Sequence, residues 1–387
     1  MSKHDRVSLD EVSDYFSELA DPRSSVNVLH PFVSVVMIAL MGGLSGASGP
    51  TAIARWAELK KDLLLSCLDL PHGIPCKDVF RRVLCTLNPG AFQACFTNWI
   101  QSLREVAVSS TDSSEPSVTA IDGKTLRRSH DQSRGLGALH VVSAWVTDLG
   151  LSLGQVATDE KSNEITAIPE LLKLVDLKGT VITIDAMGTQ TARAAQIVAG
   201  EADYVLALKG NQEGLYQTVL AYIDKQMDSN FTKCGARRQT TRETSHGREE
   251  LRQYIQMPAP SDLPDLDRWA GLQSIGLVIR TSLCQGKETT ESRYYISSLP
   301  VSVKRFAHGV HSHWGIENTC HWCLDVTFRE DESRIREKNM RETFAWLNRF
   351  TLSLLKQHPG RQSIAMKRRS CAWSDDFLLQ VLTGKTT

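Results

Sequence analysis

The sequence predicts an α/β protein in which a mixed sheet flanked by helices follows an N-terminal helical domain. Three observations support this prediction. Apolar side chains recur at helical spacing up to about residue 107, and short β-prone runs alternate with helical segments between 118 and 208. Between about 230 and 300 the helical period is lost among proline-rich turns, which indicates a mostly β insertion before the last helices.

Residues 1–108 are predicted to form the helical domain. Ser8 and Glu11 match a capping box, in which each side chain bonds a free backbone N–H at the start of a helix. Apolar residues then follow at helical spacing, with interruptions, as far as Leu103. Residues 109–117 contain no apolar anchor, so we expect a linker there.

Strands and helices are predicted to alternate after this linker. The β-prone runs lie at 118–121, 140–146, 151–157, 181–184 and 204–208, and the helical segments lie at 165–175, 190–199, 304–325 and 341–357. Together with the β insertion, these elements are expected to form one large domain over residues 117–357. Basic side chains beyond it indicate a basic C-terminal tail over 358–387.

The charges are balanced, because Lys and Arg total 44 and so do Asp and Glu. This balance excludes a uniformly basic surface of the kind that many nucleic-acid binders present. Net charge is a sum, however, and partners respond to local clusters. Basic side chains cluster at 124–128, 233–252 and 356–369. A nucleic-acid partner held in a limited groove is therefore compatible with the composition.

The composition is that of an ordinary globular chain, with 41% hydrophobic and 23% charged residues. The polar residues 1–8 do not resemble a secretory signal. The most apolar stretch, 32–41, is shorter than the ~20 residues of a membrane span. Nine scattered cysteines indicate reduced thiols. We therefore expect a cytoplasmic protein without a membrane partner.

Two acidic residues follow apolar strands, Asp122 after 118–121 and Asp185 after 181–184. A carboxylate at such a position is costly to desolvate, and two of them side by side repel unless a cation lies between them. A site for Mg²⁺ or Mn²⁺ would resolve this conflict, because these ions prefer oxygen ligands. A cap or turn role would explain either residue alone equally well.

A third acidic residue lies in a segment rich in histidine and tryptophan, His313–Asp325. On a regular helix Trp314, Glu317, His321 and Leu324 share one face. Glu317 could then supply a third metal ligand. The cysteines Cys320 and Cys323 lie near the histidines His311, His313 and His321, which also suggests zinc. A structural zinc site normally needs a second pair of spaced ligands, and the sequence has no second Cys-x-x-Cys.

The acidic residues lie in three longer motifs, Ala120-Ile121-Asp122-Gly123-Lys124-Thr125, Ile184-Asp185-Ala186-Met187 and His313-Trp314-x-Ile316-Glu317-Asn318 followed by His321-Trp322-x-Leu324-Asp325-Val326. These motifs resemble the ISAs1 family of bacterial insertion-sequence transposases, which includes the H-repeat-associated proteins and is related to the IS4 group. Shorter matches cover the rest of the chain, at Asp21-Pro22-Arg23, Gly73-Ile74-Pro75, Phe80-Arg81-Arg82, Lys161-Ser162-Asn163-Glu164-Ile165 and Lys209-Gly210-Asn211-Gln212. The resemblance therefore spans nearly the whole sequence.

This resemblance implies a ribonuclease-H-like catalytic domain with a DDE triad, in which Asp122, Asp185 and Glu317 are both the catalytic residues and the metal ligands. It implies two Mg²⁺ or Mn²⁺ ions about 4 Å apart, which activate a water and then the freed 3′-OH for attack on phosphodiesters. The expected partners are DNA, as terminal inverted repeats and target DNA, and a second copy of the chain in a homodimer on paired ends.

Other residues are predicted to bind DNA or to support the triad. The DNA-binding candidates are Lys124, Arg127, Arg128, Lys209, Asn211, Gln212, His313, Trp314, Asn318 and His321. Asp325 could orient a catalytic group or DNA. Glu164 could lie near the site, although an acid at a helix start more often bonds the free N–H groups there.

The sequence departs from the IS4 signature, which places Tyr and Arg before the Glu and Lys after it. Val310, His313 and Leu324 stand at those positions, so the roles of the Tyr, Arg and Lys are not transferred. Two alternative functions stay open. One is a catalytically inactive, DNA-binding relic of a transposase, and the other is a different ribonuclease-H-like nuclease.

Overall fold

The computed structural model describes residues 9–24, 28–110, 116–158, 164–245, 247–263 and 265–384. The predicted cap at Ser8 and the middle of the predicted linker lie outside these residues, while positions 109 and 110 end a helix. None of the helices in the described ranges is long and apolar enough to cross a membrane.

The described ranges contain fourteen α-helices. They are α1 Leu9–Asp14, α2 Phe32–Leu44, α3 Pro50–Leu59, α4 Lys61–Cys67, α5 Lys77–Thr86, α6 Pro89–Ser110, α7 Glu164–Leu174, α8 Thr191–Ala199, α9 Glu213–Asp228, α10 Val303–Gly315, α11 Trp322–Val326, α12 Lys338–Gln357, α13 Ile364–Trp373 and α14 Asp375–Thr383. A π-helical turn, Ile316–His321, joins α10 to α11. The N-terminal region is therefore helical, as its apolar spacing predicted.

Nine strands form one mixed sheet in the described residues. They are β1 Val118–Leu126, β2 Leu139–Val146, β3 Leu151–Thr158, β4 Val181–Ile184, β5 Asp203–Leu208, β6 Arg237–Ser245, β7 Arg248–Pro258, β8 Ser274–Cys284 and β9 Lys287–Ser297. The spatial order is β3-β2-β1-β4-β5-β9-β8-β7-β6. β1, β4 and β5 run parallel, and the other pairs are antiparallel.

Helices cover both faces of the central strands, which explains why β4 consists of buried residues only. Ile182 belongs to the large core cluster that includes Ile168 of α7 and Ile197 of α8. Val181, on the opposite face, packs in a second cluster with Val310 of α10. Successive side chains of a strand point to opposite faces, so these clusters place α7 and α8 on one side of the sheet and α10 on the other.

The region predicted to be mostly β supplies strands β6 to β9. These long strands extend the central sheet, because β9 pairs with β5, with Val205 opposite Ser297 and Leu208 opposite Tyr294. An insertion was expected from the sequence, but its hydrogen bonding to the central strands was not. The nine strands therefore form one continuous sheet, in which the insertion lies beside β5.

The N-terminal helices share their core with helix α12. The Phe350 ring of α12 lies 4.0 Å from the ring of Phe96 and 4.7 Å from that of Trp99, between centroids. Trp346 Nε1 donates a hydrogen bond of 2.7 Å to Gln93 Oε1. Ser353 Oγ of the same helix accepts a hydrogen bond from the β3 backbone. α12 thus connects the helical region to the sheet.

The predicted basic tail, 358–387, is instead largely folded. Its described part forms α13 and α14, where Cys371, Leu378 and Leu382 are buried. Lys367, part of a basic cluster that the sequence predicted to contact DNA phosphates, is also buried, and its Nζ donates to the Leu355 carbonyl at 3.0 Å. The apolar spacing within α14 explains the difference, since this face packs against the core.

Candidate active site

Two acidic residues meet where the parallel strands β1 and β4 end their pairing. The last parallel pair is Ile121 beside Ile184, so the next residues along the two strands are Asp122 and Asp185. β1 continues beside β2 as far as Leu126. Asp122 therefore lies within its strand, rather than at the strand end that its apolar run predicted.

Asp122 occupies a desolvated and negatively charged environment. Burial raises its pKa to about 7, although a 2.8 Å hydrogen bond from the Gly123 N–H opposes this by favouring the carboxylate. The charges of Asp185, Glu317 and Glu164 raise the pKa further. Three other carboxylates therefore lie within electrostatic range of Asp122, as the predicted site requires.

Asp185 starts a tight turn that fixes its carboxylate. The Met187 and Gly188 N–H groups donate to Asp185 Oδ1 at 3.1 and 3.2 Å. The buried Thr189 hydroxyl donates to the carbonyl of Ala207 on β5 at 2.7 Å, which anchors the turn to the sheet. The cap role that the sequence left open is present, but the hydrogen bonds of this turn use only one of the two carboxylate oxygens.

Asn211 and Gln212, predicted to contact DNA, hydrogen-bond to this same turn. The Asn211 amide donates to the Ala186 carbonyl, and Gln212 Nε2 donates to the Thr189 carbonyl at 3.1 Å. These amides therefore hold the loop after β5 against the loop that carries Asp185. The structure assigns both side chains a positioning role that the sequence did not predict.

Glu317 lies in the π-helical turn and is exposed. A π turn contains an extra residue, which rotates the residues after it relative to those before it. Trp314, Glu317, His321 and Leu324 consequently do not share the face predicted for a regular helix, because Leu324 is fully buried while Glu317 faces solvent. Such turns are frequent at functional sites.

The two histidines of the motif point toward the acidic residues. His313 Nδ1 lies 3.0 Å from the Thr183 hydroxyl, and burial lowers the pKa of His313 to about 4 despite the nearby charge of Asp185. His321 Nδ1 lies 3.6 Å from Asp122 Oδ2. Burial, together with the charges of Arg349 and Lys124, lowers the pKa of His321 to about 3. Both rings are therefore neutral at pH 7.

Glu164 is buried and lies against strand β1. Its Oε1 lies 2.6 Å from Nε2 of the buried His140 on β2, and His140 Nδ1 lies 2.8 Å from the Thr125 hydroxyl. Both side chains approach the backbone of Gly123 so closely that a Cβ at that position would collide with them. The Gly after Asp122 thus allows Glu164 and His140 to pack against the strand.

Lys124 does not have the free charge expected of a DNA contact. Its buried Nζ lies 2.7 Å from Asp325 Oδ1, 2.9 Å from Asp331 Oδ1 and 3.9 Å from Glu330 Oε2. Glu330 is in turn paired with Arg349 at 3.1 Å. Three carboxylates already balance the ammonium group, so a phosphate would have to compete with them. Asp325 acts here as a partner of Lys124.

Trp314 packs against two arginines of the long strands. The guanidinium carbons of Arg252 on β7 and Arg293 on β9 lie 5.0 and 5.3 Å from the Trp314 ring centroid. Burial disfavours the charged form of Arg293. Its hydrogen bond to Glu291 and the nearby charges, that of Glu317 among them, outweigh burial and raise the pKa of Arg293. Trp314 therefore connects α10 to the insertion, which places Arg293 in electrostatic range of Glu317.

Five of the predicted DNA contacts are exposed. They are Arg127, Arg128, Lys209, Asn211 and Asn318. Arg127 Nε lies 3.2 Å from Asp331 Oδ2, a largely solvent-exposed pair of the kind that contributes little to stability. Because the Asn211 amide already donates to the Ala186 carbonyl, the other four are the predicted contacts whose polar groups are exposed without holding the Asp185 turn.

The suggested zinc ligands do not converge. Cys320 lies in the hydrophobic core, and burial raises its thiol pKa to about 12. His311 is exposed and lies 3.7 Å from Glu243. Within the described part of the chain, no three Asp, Glu, His or Cys side chains are close enough together to hold a metal ion. Asp122, Asp185 and Glu317 therefore interact electrostatically, but their side chains are not close enough together to form a ready set of metal ligands.

Two residues of this site were missed from the sequence. His140 lies in a strand that is apolar apart from His140 and Ser143, and a histidine in such a run was the available signal. Arg293 lies in the β insertion beyond the basic segment 233–252, and its sequence pattern carries no signal. Only the pairing of β9 with β5 brings Arg293 to the site.

Comparisons with known proteins support a relationship over the whole chain. Residues 113–355 match the family model described as "Transposase DDE domain", and residues 13–100 match one described as "DDE_Tnp_1-associated". The "H repeat-associated putative transposase YhhI" of Escherichia coli K12 is 36% identical over 98% of this chain and 99% of its own length. The "Putative transposase YncI" of Escherichia coli O157:H7 is 36% identical over 98% of this chain and 96% of its own length.

A distant similarity exists to one solved structure, a cryo-EM structure of the piggyBac transposase synaptic complex with hairpin DNA. The TM-score is 0.39 and the sequence identity 11%, covering 97% of this chain and 78% of that chain. A similarity this low supports no conclusion about the site.

Proposed function

This chain belongs to the DDE transposase family, and from that premise we propose that it cleaves and joins DNA at the ends of an insertion sequence through Asp122, Asp185 and Glu317. We further propose that its central strands form a ribonuclease-H-like domain and that it belongs to the ISAs1 group. Paired DNA ends would be held by two copies of the chain.

One observation carries this proposal: among the described residues, Asp122 has no cationic partner that could balance its charge. In the described residues, the basic side chain within ion-pair distance of Asp122 is that of His321, and its ring is neutral at pH 7. Its other charged neighbours are Asp185, Glu317 and Glu164. A half-buried carboxylate surrounded by carboxylates is destabilised in its charged form unless a cation joins it.

This electrostatic environment fits a hard divalent cation. Carboxylate oxygens are the donors that Mg²⁺ and Mn²⁺ prefer, and Asp122, Asp185 and Glu317 would hold two such ions. When bound, the ions supply activation of the attacking water or 3′-hydroxyl and neutralisation of charge on the phosphate. The described side chains would have to close around the ions, and the exposed Glu317 has the freedom to do so.

The protein's own contribution is positioning. Hydrogen bonds from the turn at 186–188 fix Asp185, and the Gly123 N–H holds Asp122. The neutral His321 can hydrogen-bond Asp122 without removing its affinity for a cation. Exposed Arg127, Arg128 and Lys209 are the residues proposed to contact DNA phosphates near the acids.

The proposal is tested by removing one carboxylate at a time in an assay of DNA-end cleavage with Mg²⁺ or Mn²⁺. Asp122→Asn, Asp185→Asn and Glu317→Gln are each expected to lower cleavage at least 10³-fold. DNA binding should be retained. Asp228→Asn, which removes an exposed carboxylate at the end of α9, is the control and should cleave normally.

Cleavage that persists in any one of the three variants would refute the triad. A wild-type protein that binds terminal repeats with either metal but never nicks them would instead favour a catalytically inactive relic. Cleavage of RNA–DNA hybrids in preference to transposon ends would favour a different nuclease.

A further inference from the structure

A groove lined by arginines runs along one side of the molecule, outside the site described above. It consists of two adjoining cavities of about 660 and 350 Å³, which share Gly46, Thr327, Arg329 and Arg368. Four parts of the chain form it: the loop after α2, the segment after α11, helix α12 and helix α13. We call this feature the arginine groove.

Positive charge predominates in the arginine groove. Its lining includes Arg329, Arg334, Arg336, Arg368 and Arg369, against two acids, Glu330 and Glu332. Glu330 is already paired with Arg349, and Glu332 is paired with Arg329 at 2.5 Å. Arg334 and Arg369 are exposed, and in the described residues neither has an acidic side chain within ion-pair distance. The groove thus has unbalanced positive charge.

Arg368 contributes a cation that the protein holds in place. Its guanidinium donates to the carbonyls of Thr327 and Gly43 at 2.9 and 3.3 Å and lies 4.1 Å from the Phe328 ring centroid. None of these partners is negatively charged. In the described residues no carboxylate pairs with this half-buried guanidinium, so it is suited to an anion that enters from the groove.

The groove begins close to the proposed catalytic residues. Glu330, on its wall, lies 3.9 Å from Lys124, and Lys124 is two residues after Asp122 on β1. Two residues of a strand span roughly 7 Å. Val326 and Thr327, at the other side, directly follow Asp325, another partner of Lys124. A polymer that passes the acidic residues could therefore continue into the groove.

An exposed aromatic ring lies at the far end. Trp373, the last residue of α13, lines the smaller cavity and is 70% exposed. An indole next to arginines is the combination on which unpaired bases stack while phosphates are neutralised. An acidic protein partner would use the arginines but would leave this ring unexplained.

We propose that the arginine groove binds the sugar–phosphate backbone of DNA beyond the point of cleavage, with Trp373 stacking on an unpaired base. This proposal rests on the proposed function, since it extends the DNA path away from the same acids. Arg334 and Arg369 contact phosphates, one in each cavity.

The test measures the binding of labelled DNA of mixed sequence as a function of salt concentration. The double variant Arg334→Ala with Arg369→Ala is expected to bind a duplex roughly tenfold more weakly. The slope of log K against log salt should become less steep by about 2, because about one unit is lost per phosphate contact. The control removes two exposed lysines, Lys173→Ala with Lys178→Ala, at the opposite end of β4, and should change neither quantity.

A second variant tests the stacking. Trp373→Ala should weaken the binding of single-stranded DNA roughly fivefold or more, and should affect duplex binding less. If the slope of log K against log salt is unchanged in the double arginine variant and end cleavage is normal, the proposal that the groove binds DNA is refuted. The proposed function is then unaffected. If the groove variants behave as expected but the wild-type protein never cleaves DNA, the groove proposal stands and the proposed function is refuted.

Discussion

At the scale of single residues, the Gly that follows Asp122 has a definite steric purpose. A Cβ at Gly123 would collide with Glu164 and His140, which lie against the strand backbone. Both side chains are buried and therefore cannot move away cheaply. The Asp-Gly pair of the motif thus combines an acid with the space for a buried His–Glu pair beside it.

Lys124 shows how a motif residue can be structural. Replacing it by Met, which keeps the stem but removes the charge, leaves Asp325, Glu330 and Asp331 without their shared cation. Breaking a buried ion pair in this way costs about 3–5 kcal/mol, and the partial exposure of Asp325 and Asp331 places the expected loss at the lower end. Urea denaturation of the Lys124→Met variant measures it.

The salt dependence of DNA binding distinguishes this role from a phosphate contact. Lys124→Met should leave the slope of log K against log salt unchanged in protein that is still folded. Arg128→Met, which removes an exposed charge nearby, is the matched control and should leave stability within about 0.5 kcal/mol. A shallower slope for Lys124→Met at normal stability would instead support the sequence prediction that Lys124 contacts DNA.

At the scale of elements, the helix that carries Glu317 depends on the long strands for its placement. Its π turn separates a half that packs against the sheet, through Val310, from a half whose Leu324 enters the main core. Trp314, just before the turn, lies against Arg252 and Arg293. Contacts from β7 and β9, together with the packing of Val310 on the central strands, therefore position Glu317.

Truncating Trp314 should weaken this contact selectively. Trp314→Ala removes two cation–π contacts and a half-buried ring, so we expect a loss of about 2–3 kcal/mol in the free energy of unfolding. End cleavage should fall in the protein that remains folded, because Glu317 loses its support. Thermal unfolding and single-turnover cleavage measure the two effects.

Trp322 provides the matched control, since it follows the same π turn but is 57% exposed. Trp322→Ala should change stability by no more than about 0.5 kcal/mol. Equal losses for the two tryptophans would contradict the proposed role of Trp314 in joining the helix to the insertion.

At the scale of the whole molecule, the helical N-terminal region and the sheet share one hydrophobic core. α12 packs its Phe350 against Phe96 and Trp99 and contacts β3 through Ser353. α13 and α14 join the same core. The predicted division into a helical domain and a catalytic domain therefore does not correspond to two independent cores.

Unfolding should accordingly occur in a single transition. Phe350→Ala is expected to destabilise the helical and sheet regions together by about 3–5 kcal/mol, because the ring is fully buried between them. Far-UV circular dichroism and tryptophan fluorescence should report the same midpoint. Leu59→Ala, at a position 70% exposed, is the control. Two separate transitions in the wild-type protein would contradict the shared core.

The elements and the acids could be predicted because their signals are local. Apolar spacing indicates each helix and strand, and Asp122 and Asp185 stand out because a carboxylate beside a buried strand is costly. The pairing of β9 with β5, the π turn and the cations around Trp314 have no such local signal. They arise from contacts between segments far apart in the chain.

The sequence by itself determined the α/β class, the helical N-terminal region, the β insertion and the family, through periodicity and motifs. Only the tertiary structure decided which charges are free. It paired Lys124 with three carboxylates and used Asn211 and Gln212 to hold the Asp185 turn. It also left Arg334 and Arg369 in a groove without an acidic partner among the described residues. The physical reason is that a charge is balanced by its neighbours in space, and a linear pattern does not contain them.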